Sequence, residues 1–314
     1  MVRFGIRTEE QYFRLGPDRA NSSPHVAYSL LDVGDQPTEQ QIRAFEDISI
    51  LLRTSNGTFR TTFPRRFRDV DEMSLRWMGQ LYPAEAEIQI QDRAVSHGLT
   101  SWEWAERVFK SFPNARFEAS DILLELIEIS RDGTAYIVEP NGRAIQFVKA
   151  PFVVSLEHAE PKRFPVNRLV ANWAKGRFKR MARGQAWMKR AEKQGWRVRK
   201  IPYVHPHARS LERTNPNFKF ILRSVFDTTP GACEVIRTMN IFNRSYFSDQ
   251  QLAAGSNAIF NSLYPGGIWI VGRTLEEDLT NHVSLLRRGE QGWEVLERIG
   301  QGWELEGLAL TARS

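Results

Sequence analysis

The chain contains a single cysteine, Cys233, among its 314 residues. One thiol excludes a disulfide framework and a zinc site built on cysteines. No apolar run approaches the roughly 20 residues that a transmembrane helix needs. The N-terminal stretch MVRFGIRTEEQYFRL also lacks the apolar region of a signal peptide. With 41% hydrophobic and 25% charged residues, the composition predicts a soluble, cytoplasmic, globular protein without a membrane span.

Two glycine-rich nucleotide motifs are also missing. The chain has no GxxxxGK[ST] motif, which excludes a P-loop. The segment RAVSHGLTS contains one glycine, Gly98, at a place where a dinucleotide fingerprint needs three. These two absences weigh against kinases and NAD-dependent dehydrogenases.

The net charge of +6 is concentrated in one segment. Residues 162–200 contain 14 of the 43 basic residues and one of the 37 acidic residues, Glu192. The rest of the chain is therefore acidic overall. A local positive field of this kind favours an acidic macromolecule as partner, such as nucleic acid, a membrane surface or an acidic protein. The alternative is a solvated amphipathic helix with a crowded polar face.

The pattern of apolar residues predicts one sheet whose strands come from two separate segments of the chain. EAEIQIQD alternates like a strand that ends at Asp92, SWEWAERVFKSF follows as a helix, and ARFEASD is a strand that ends at Asp121. This order is typical of a doubly wound sheet. The pattern resumes at FKFILRSVFD, and we expect residues 83–121 and 217–314 to form one α/β, Rossmann-like domain.

Two further regions flank this domain in the sequence. Residues 1–82 are predicted to form an arm followed by helices. Residues 122–216 are predicted to form a large inserted lobe, because Asp132-Gly133 and Asn141-Gly142 are hairpin dipeptides between alternating strands. A basic helical segment follows this β-meander.

Polar residues stand where the predicted strands end. Ligands of doubly wound sheets bind outside the carboxyl ends of the strands, and an acid at the end of the second strand commonly accepts from a ribose hydroxyl. Asp121, 23 residues after Gly98, has that spacing. The alternative is that these residues are ordinary polar strand ends. The candidates at the strand ends are Asp92, Ser96, His97, Gly98, Asp121, Asp227 and Asn240.

Four segments resemble the chemotaxis-receptor glutamate methyltransferases. AVSHGLTSWEWA is similar to that family's cofactor loop, A-C-S-x-G-E-E-x-Y-S-x-A, with Ser96, Gly98 and Ala105 in register. FEASD resembles the next strand of the family, CEVIRTMNIFNRSYF its D-x-I-x-C-R-N-V-x-I-Y-F segment, and LYPGGIWIVGRT its L-x-P-G-G-x-L-x-x-G segment. The resemblance covers about 85–121 and 217–310, and it implies a class I methyltransferase sheet whose last strand is antiparallel.

The resemblance also implies a cofactor and roles for individual residues. The cofactor would be S-adenosyl-L-methionine, bound at Ser96 and Gly98. Asp121 would hold the ribose, and Asp227 would accept from the adenine amino group. Asp92 is placed with the cofactor contacts at the end of the first strand. Thr100 joins them because Leu99-Thr100 replaces the family's acidic pair.

Three residues are candidates for the acceptor side. Asn240 falls on the asparagine of the family's segment, although Met239 replaces the arginine before it. Tyr246 falls on the tyrosine of the Tyr-Phe pair and would close the pocket or belong to the core. His97, inside the cofactor loop, is a candidate base. No third ligand accompanies His205 and His207, so we expect no metal site.

The expected function is S-adenosylmethionine-dependent methyl transfer to an oxygen or nitrogen acceptor on a small molecule, with the insertion as a substrate lid. One alternative is a protein (carboxylate) or RNA methyltransferase that the basic segment recruits to its substrate. Another is a non-catalytic binding protein on a decayed methyltransferase fold.

Overall fold

The computed structural model describes residues 2–15, 25–52, 54, 60, 62–157, 161–182, 184, 186–231, 233–275 and 277–311. The chain divides into two compact units, and each is made of two separate segments. We call Met1–Thr61 with Leu123–Pro206 the meander unit, and Thr62–Ile122 with His207–Ser314 the parallel-sheet unit. No helix among the described residues is long and apolar enough to cross a membrane.

The parallel-sheet unit is built around seven strands. In chain order its elements are α3 (Arg68–Leu81), β1 (Gln89–Arg93), α4 (Leu99–Ser111), β2 (Arg116–Asp121), α7 (Pro206–Thr214), β8 (Phe218–Leu222), β9 (Cys233–Met239), α8 (Asp249–Ser262), β10 (Leu263–Thr274), β11 (Asn281–Arg288), β12 (Trp293–Ile299) and α9 (Glu306–Thr311).

The strand order of this sheet is β12-β11-β10-β9-β1-β2-β8. β8, β2, β1, β9 and β10 are parallel to one another. The chain starts at β1, builds outward through β2 to β8, and then returns to the other side of β1 with β9. This reversal creates a topological switch point between β1 and β9, where doubly wound folds bind ligands. The predicted α/β, Rossmann-like fold is confirmed.

The C-terminal strands differ from the expected arrangement. β11 is antiparallel to β10, and β12 is antiparallel to β11. The last strand, β12, therefore runs in the same direction as the body of the sheet, and the antiparallel strand is the one before it. Two short successive turns explain this, because a chain that folds back on itself twice forms a meander and needs no crossover.

Both faces of the parallel sheet are buried, which is why its strands are nearly continuous apolar runs. One face packs under α3 and α4 with Ile90, Trp104 and Phe117. The other packs under α8 and α9 with Ile236 and Trp269. The charged and polar side chains of these strands are thus confined to their ends or must find partners inside the unit.

The meander unit has its own antiparallel sheet of order β6-β5-β4-β3-β7. Its elements are α1 (Glu9–Leu15), a 3-10 helix (Tyr28–Leu31), α2 (Glu39–Ile50), β3 (Glu125–Arg131), β4 (Thr134–Val138), β5 (Ala144–Lys149), β6 (Phe152–Ser155), α5 (Pro165–Met181), α6 (Trp187–Lys193) and β7 (Arg197–Pro202). Asp132 and Gly133 both have positive φ, 49° and 68°, as a two-residue hairpin turn requires.

The unit boundaries differ from the predicted domains. The N-terminal residues up to 61 do not form a region of their own with α3. The apolar side of α2, with Phe45 and Ile48, packs against one face of the antiparallel sheet. α5 and α6 cover the opposite face through Phe178 and Trp187. The physical reason is that each exposed sheet face of the insertion needs an apolar cover, and the N-terminal segment supplies one of the two.

Candidate functional site

The turn that joins β1 to α4 has an unusual backbone. Ala94, Ser96 and Gly98 have φ values of 62°, 59° and 80°, so three alternate residues lie in the left-handed region. This region costs a residue with a Cβ atom roughly 1–2 kcal/mol. Two of the three positions are therefore held in a strained conformation, and such strain concentrates at ligand-binding loops.

Gly98 is required for a second reason. A Cβ atom at this position would lie 2.5 Å from Cζ of Phe220 on β8, far inside van der Waals contact. The glycine thus lets the start of α4 pack closely against the sheet, as the last glycine of a nucleotide-binding turn does.

Among the described residues, no side chain caps the start of α4, because its N-cap residue is Gly98. The N–H groups of a helix's first turn have no partner inside the helix and form a natural site for polar ligand atoms. One turn further on, Trp102 stacks on His207 of α7, with ring centroids 4.6 Å apart. His97 is buried beside this turn, at 1% exposed.

Asp121 joins the loop to the end of β2. Its Oδ2 accepts a hydrogen bond of 2.8 Å from the backbone N–H of Ser96, and the carboxylate is largely buried. Val95 N–H also donates to the Ser120 carbonyl, at 3.2 Å. The structure therefore brings Ser96, Gly98 and Asp121 together at the carboxyl ends of two adjacent parallel strands, which is the juxtaposition predicted from their spacing.

Asp92 belongs to a buried charge cluster at the same end of β1. Its carboxylate accepts from Arg237 Nε at 3.0 Å and Nη2 at 2.5 Å, and from Ser101 Oγ at 2.6 Å. Arg237 Nη1 donates to Asp71 of α3 at 2.7 Å, and Nη2 donates to the Thr100 carbonyl at 3.1 Å. The cluster thus joins α3, β1, α4 and β9, and it fixes the first turn of α4.

The burial of this cluster shifts two pKa values. Desolvation raises the pKa of Asp71 to about 7, although Arg237 opposes the shift. Desolvation disfavours the Arg237 cation, but Asp92 and Asp71 outweigh it and raise the pKa of Arg237 above its usual value. A positive charge and at least one negative charge are therefore held inside the unit.

Sequence reasoning missed Arg237 and Asp71. The signal for Arg237 was present, because a lone arginine in the apolar strand CEVIRTM is buried and a buried cation needs a carboxylate partner. The functional assignment of Asp92 and Thr100 as cofactor contacts stays a prediction. Both have a structural task in the cluster, Asp92 through its carboxylate and Thr100 through its carbonyl.

Asn240 follows β9 directly and lies half-buried at the carboxyl edge. Its φ is 61°, which asparagine adopts more readily than most residues. Its N–H donates to the Gly272 carbonyl at 2.8 Å, and its Oδ1 accepts from Thr274 N–H at 2.7 Å. The side chain therefore ties the end of β9 to the end of β10.

An open groove adjoins this connection. Thr274 Oγ1 donates to Asn281 Oδ1 at 2.9 Å, and Asn281 Nδ2 donates to Asp69 Oδ1 at 2.7 Å. The groove has a volume of about 580 Å³ and lies at the start of β11 and the end of β12, against the start of α3. Its lining carries charges of both signs, and comprises Arg65, Arg68, Asp69, Glu72, Leu279, Thr280, Asn281, Ile299 and Gly300.

Two further predicted residues lie in loops of the same unit. Asp227 is exposed in the connection between β8 and β9, where its Oδ2 accepts from Ser224 N–H at 3.0 Å. Arg93 Nη1 donates to the Asp227 carbonyl at 2.7 Å, which ties this connection to the end of β1. Tyr246 is half-buried and its ring meets Phe247 edge-on, with centroids 6.4 Å apart. The roles predicted for Asp227 and Tyr246 stay predictions.

Among the described residues, no group of three or more histidine, cysteine, aspartate and glutamate side chains could hold a metal ion. His205 and His207 belong to different units and have different neighbours. His205 is buried in the meander unit with its Nε2 3.1 Å from Oε1 of Glu46, whereas His207 stacks on Trp102 in the parallel-sheet unit.

Comparisons with known proteins return structural likenesses at low identity. No family model and no curated protein matches the chain. The 1,6-didemethyltoxoflavin-N1-methyltransferase of Burkholderia thailandensis, solved with 1,6-didemethyltoxoflavin and S-adenosylhomocysteine bound, matches at 10% identity and a TM-score of 0.35, over 79% of this chain and 66% of that one. The PH0226 protein of Pyrococcus horikoshii matches at 9% and 0.33, over 78% of each chain.

An O-methyltransferase family protein of Burkholderia thailandensis matches at 10% identity and a TM-score of 0.29, over 76% of this chain. This chain spans 43% of that protein, and less than half the length of several other matched structures. The fold assignment rests on the strand order and directions of the chain itself. The resemblance to chemotaxis-receptor methyltransferases stays a prediction.

Proposed function

We propose that the protein is an S-adenosylmethionine-dependent methyltransferase that acts on an oxygen or nitrogen atom of a small molecule. The observation that carries the proposal is the turn after β1. Three alternate left-handed residues, Ala94, Ser96 and Gly98, lie next to the switch point. Their backbone is bonded to Asp121 at the end of the neighbouring strand. A strained turn in this position is expected where a ligand is held.

The residues present fit this cofactor. The uncapped first turn of α4 offers N–H donors, and Asp121 lies within hydrogen-bond distance of the same loop, so a polar ligand would meet donors and an acceptor together. In the proposal, Ser96 and Gly98 hold the methionine portion, Asp121 accepts from the ribose hydroxyls, and Asp227 accepts from the adenine amino group. When bound, the cofactor supplies an electrophilic methyl group.

The acceptor is proposed to enter the groove between the start of α3, the start of β11 and the end of β12. Asn240 is connected to this groove through Thr274 and Asn281, and it would orient the acceptor atom without adding a charge that repels a sulfonium. Tyr246 would close the site. A hydroxyl or amine acceptor needs a base, and His97 is proposed for that task.

The charge pattern of the groove restricts the acceptor. Arg65 and Arg68 lie beside Asp69 and Glu72, so the groove offers both donors and acceptors in charged form. Such a lining favours a polar or zwitterionic small molecule over an apolar one, because an apolar ligand would remove charged groups from water without offering them hydrogen bonds. Positioning of donor and acceptor is the main contribution that the protein makes to this type of transfer.

Calorimetric titration of the full chain with S-adenosylmethionine tests the proposal. Asp121→Asn keeps an oxygen that accepts from Ser96 N–H but replaces the charged acceptor by an amide. We expect its affinity to fall by about 1.5–3 kcal/mol, the range for a hydrogen bond to a charged group. Glu87→Gln is the matched control, since Glu87 is 71% exposed in the same unit and its exchange should not change the affinity. Failure of the wild type to bind, or unchanged affinity in a folded Asp121→Asn variant, would refute the assignment.

A second candidate function is a binding protein that no longer transfers methyl groups. The observation that favours it is the engagement of the Asp92 carboxylate with Arg237 and Ser101. The two proposed functions differ in whether the protein converts S-adenosylmethionine to S-adenosylhomocysteine. A protein that binds S-adenosylmethionine but never forms S-adenosylhomocysteine with any of a panel of zwitterionic amines and hydroxy acids supports the second.

A further inference from the structure

The outward face of α5 combines positive charge with exposed apolar rings and chains. α5 packs through Ala174 and Phe178 onto the antiparallel sheet of the meander unit. On its other side, Leu169 is 69% exposed and Trp173 is 48% exposed. Leu169 and Trp173 are four residues apart, so they lie one above the other on the same side of the helix.

The basic side chains of α5 and α6 have no acidic partner among the described residues. Within the described part of the chain, no basic residue of α5 or α6 forms an ion pair with an acidic side chain. Arg168, Lys179 and Arg180 are exposed on α5, and Lys189 and Lys193 are exposed on α6. Uncompensated cations on adjacent helices create a field that attracts a polyanion.

Trp173 is held in a defined orientation. Its ring meets Phe147 edge-on with centroids 5.7 Å apart, and the Arg177 guanidinium lies 5.4 Å from its centroid. Arg177 also lies 5.7 Å from the centroid of Trp196. The indole is therefore supported from the protein side while about half of it faces solvent. A fixed, half-exposed aromatic ring among cations is the arrangement on which unpaired bases stack.

We propose that the exposed surface of α5 and α6 binds single-stranded nucleic acid. It carries Leu169 and Trp173 and the exposed cations Arg168, Lys179 and Arg180 of α5 with Lys189 and Lys193 of α6. The cations contact phosphates, and Trp173 stacks on a base. α5 has 17 residues, so at 1.5 Å per residue it presents a surface about 25 Å long. This inference goes beyond the proposed methyl transfer and does not depend on it.

The same face does not suit an anionic membrane. A helix that lies in a membrane interface needs a wide apolar face toward the lipid. The apolar side of α5, with Ala171, Ala174 and Phe178, is buried in the meander unit, and only Leu169 and Trp173 remain outward. Charge and one stacking platform are present, whereas an insertable apolar face is not.

Fluorescence anisotropy with a labelled 20-nucleotide oligo(U) tests the proposal on the full chain. Five cations that each contact a phosphate predict a slope of log affinity against log salt of about −3 to −4. Lys179→Glu/Arg180→Glu should reduce this slope by about 1.4 and weaken binding at least tenfold. Lys110→Glu/Lys219→Glu changes two exposed lysines of the parallel-sheet unit, and this matched control should bind as the wild type does.

Inorganic polyphosphate carries phosphate charges but no bases, so its comparison with oligo(U) separates base stacking from charge attraction. Trp173→Ala should weaken oligo(U) binding about tenfold and leave polyphosphate binding unchanged, and Trp173→Phe should retain most of the affinity for oligo(U). If both Trp173 variants bind oligo(U) as the wild type does, or if all ligands weaken equally, the proposed stacking is refuted. Binding to phosphatidylserine vesicles without binding to oligo(U) overturns the proposal in favour of a membrane surface.

Discussion

Replacing Asp71 by asparagine should change how the stability of the parallel-sheet unit depends on pH. Burial raises the pKa of Asp71 to about 7, from 3.8 in an ordinary environment. The folded protein therefore keeps a proton on this carboxyl over a pH range in which the unfolded chain has lost it. An asparagine resembles the protonated form and still offers Arg237 an oxygen.

The sign and size of the effect follow from proton linkage. Because folding takes up a proton between pH 3.8 and about 7, the contribution of Asp71 to the free energy of unfolding is fully present below pH 4 and is lost as the pH rises through 7. Each unit of pKa shift corresponds to about 1.4 kcal/mol. From pH 5 to pH 8, the wild type should lose roughly 2–3 kcal/mol that the variant does not lose.

Urea denaturation of both proteins at pH 5, 6, 7 and 8 measures this difference. The asparagine variant should become the more stable protein, relative to the wild type, as the pH rises. Burial lowers the pKa of His25 in the meander unit to about 3, so its contribution is lost as the pH falls below its ordinary value, but it is common to both proteins and cancels. Glu87→Gln should show no such trend. A gap between Asp71→Asn and wild type that stays constant from pH 5 to 8 would refute the reasoning.

Two further substitutions test the loop and the strand ends. Gly98→Ala should lower the free energy of unfolding by about 2–4 kcal/mol, because it combines a left-handed φ with a clash against Phe220. Urea unfolding should show a smaller loss for Gly266→Ala, which has a φ of 82° but nothing within 4 Å of its added Cβ. Asn240→Ala should lower the melting temperature through loss of the bond to Thr274 N–H, worth about 1 kcal/mol. Its affinity for S-adenosylmethionine in a calorimetric titration should stay within threefold of the wild type, and a large loss would place the residue at the cofactor instead.

The sequence predicts the parallel sheet well, because its strands and helices alternate with clear periodicity. The sequence pattern places the ends of β1 and β2 at Asp92 and Asp121, and in the structure β1 ends at Arg93 and β2 at Asp121. The proximity of Asp121 to Ser96 also followed from spacing, since adjacent parallel strands bring their carboxyl ends together.

The remainder depends on contacts between residues that are far apart in the chain. Arg237 lies 145 residues from Asp92, and no local pattern links the two. The packing of α2 on the inserted sheet could not be predicted from the sequence either, because an amphipathic pattern shows that a helix has an apolar face but not which surface covers it. The direction of β12 depends on the turns at the two ends of β11. The resemblance implies an antiparallel last strand, whereas these turns make β12 run in the same direction as the body of the sheet.

Each of the two units is assembled from two stretches of chain, and the polypeptide passes between them near residues 61, 122 and 206. A single cut at any of these three places consequently leaves at least one unit without part of its sheet or its cover. During synthesis, β1 and β2 must wait for β8 and β9 while residues 123–206, which belong to the other unit, are made. Separate study of either unit therefore requires a rejoined chain, such as residues 62–122 linked directly to 207–314.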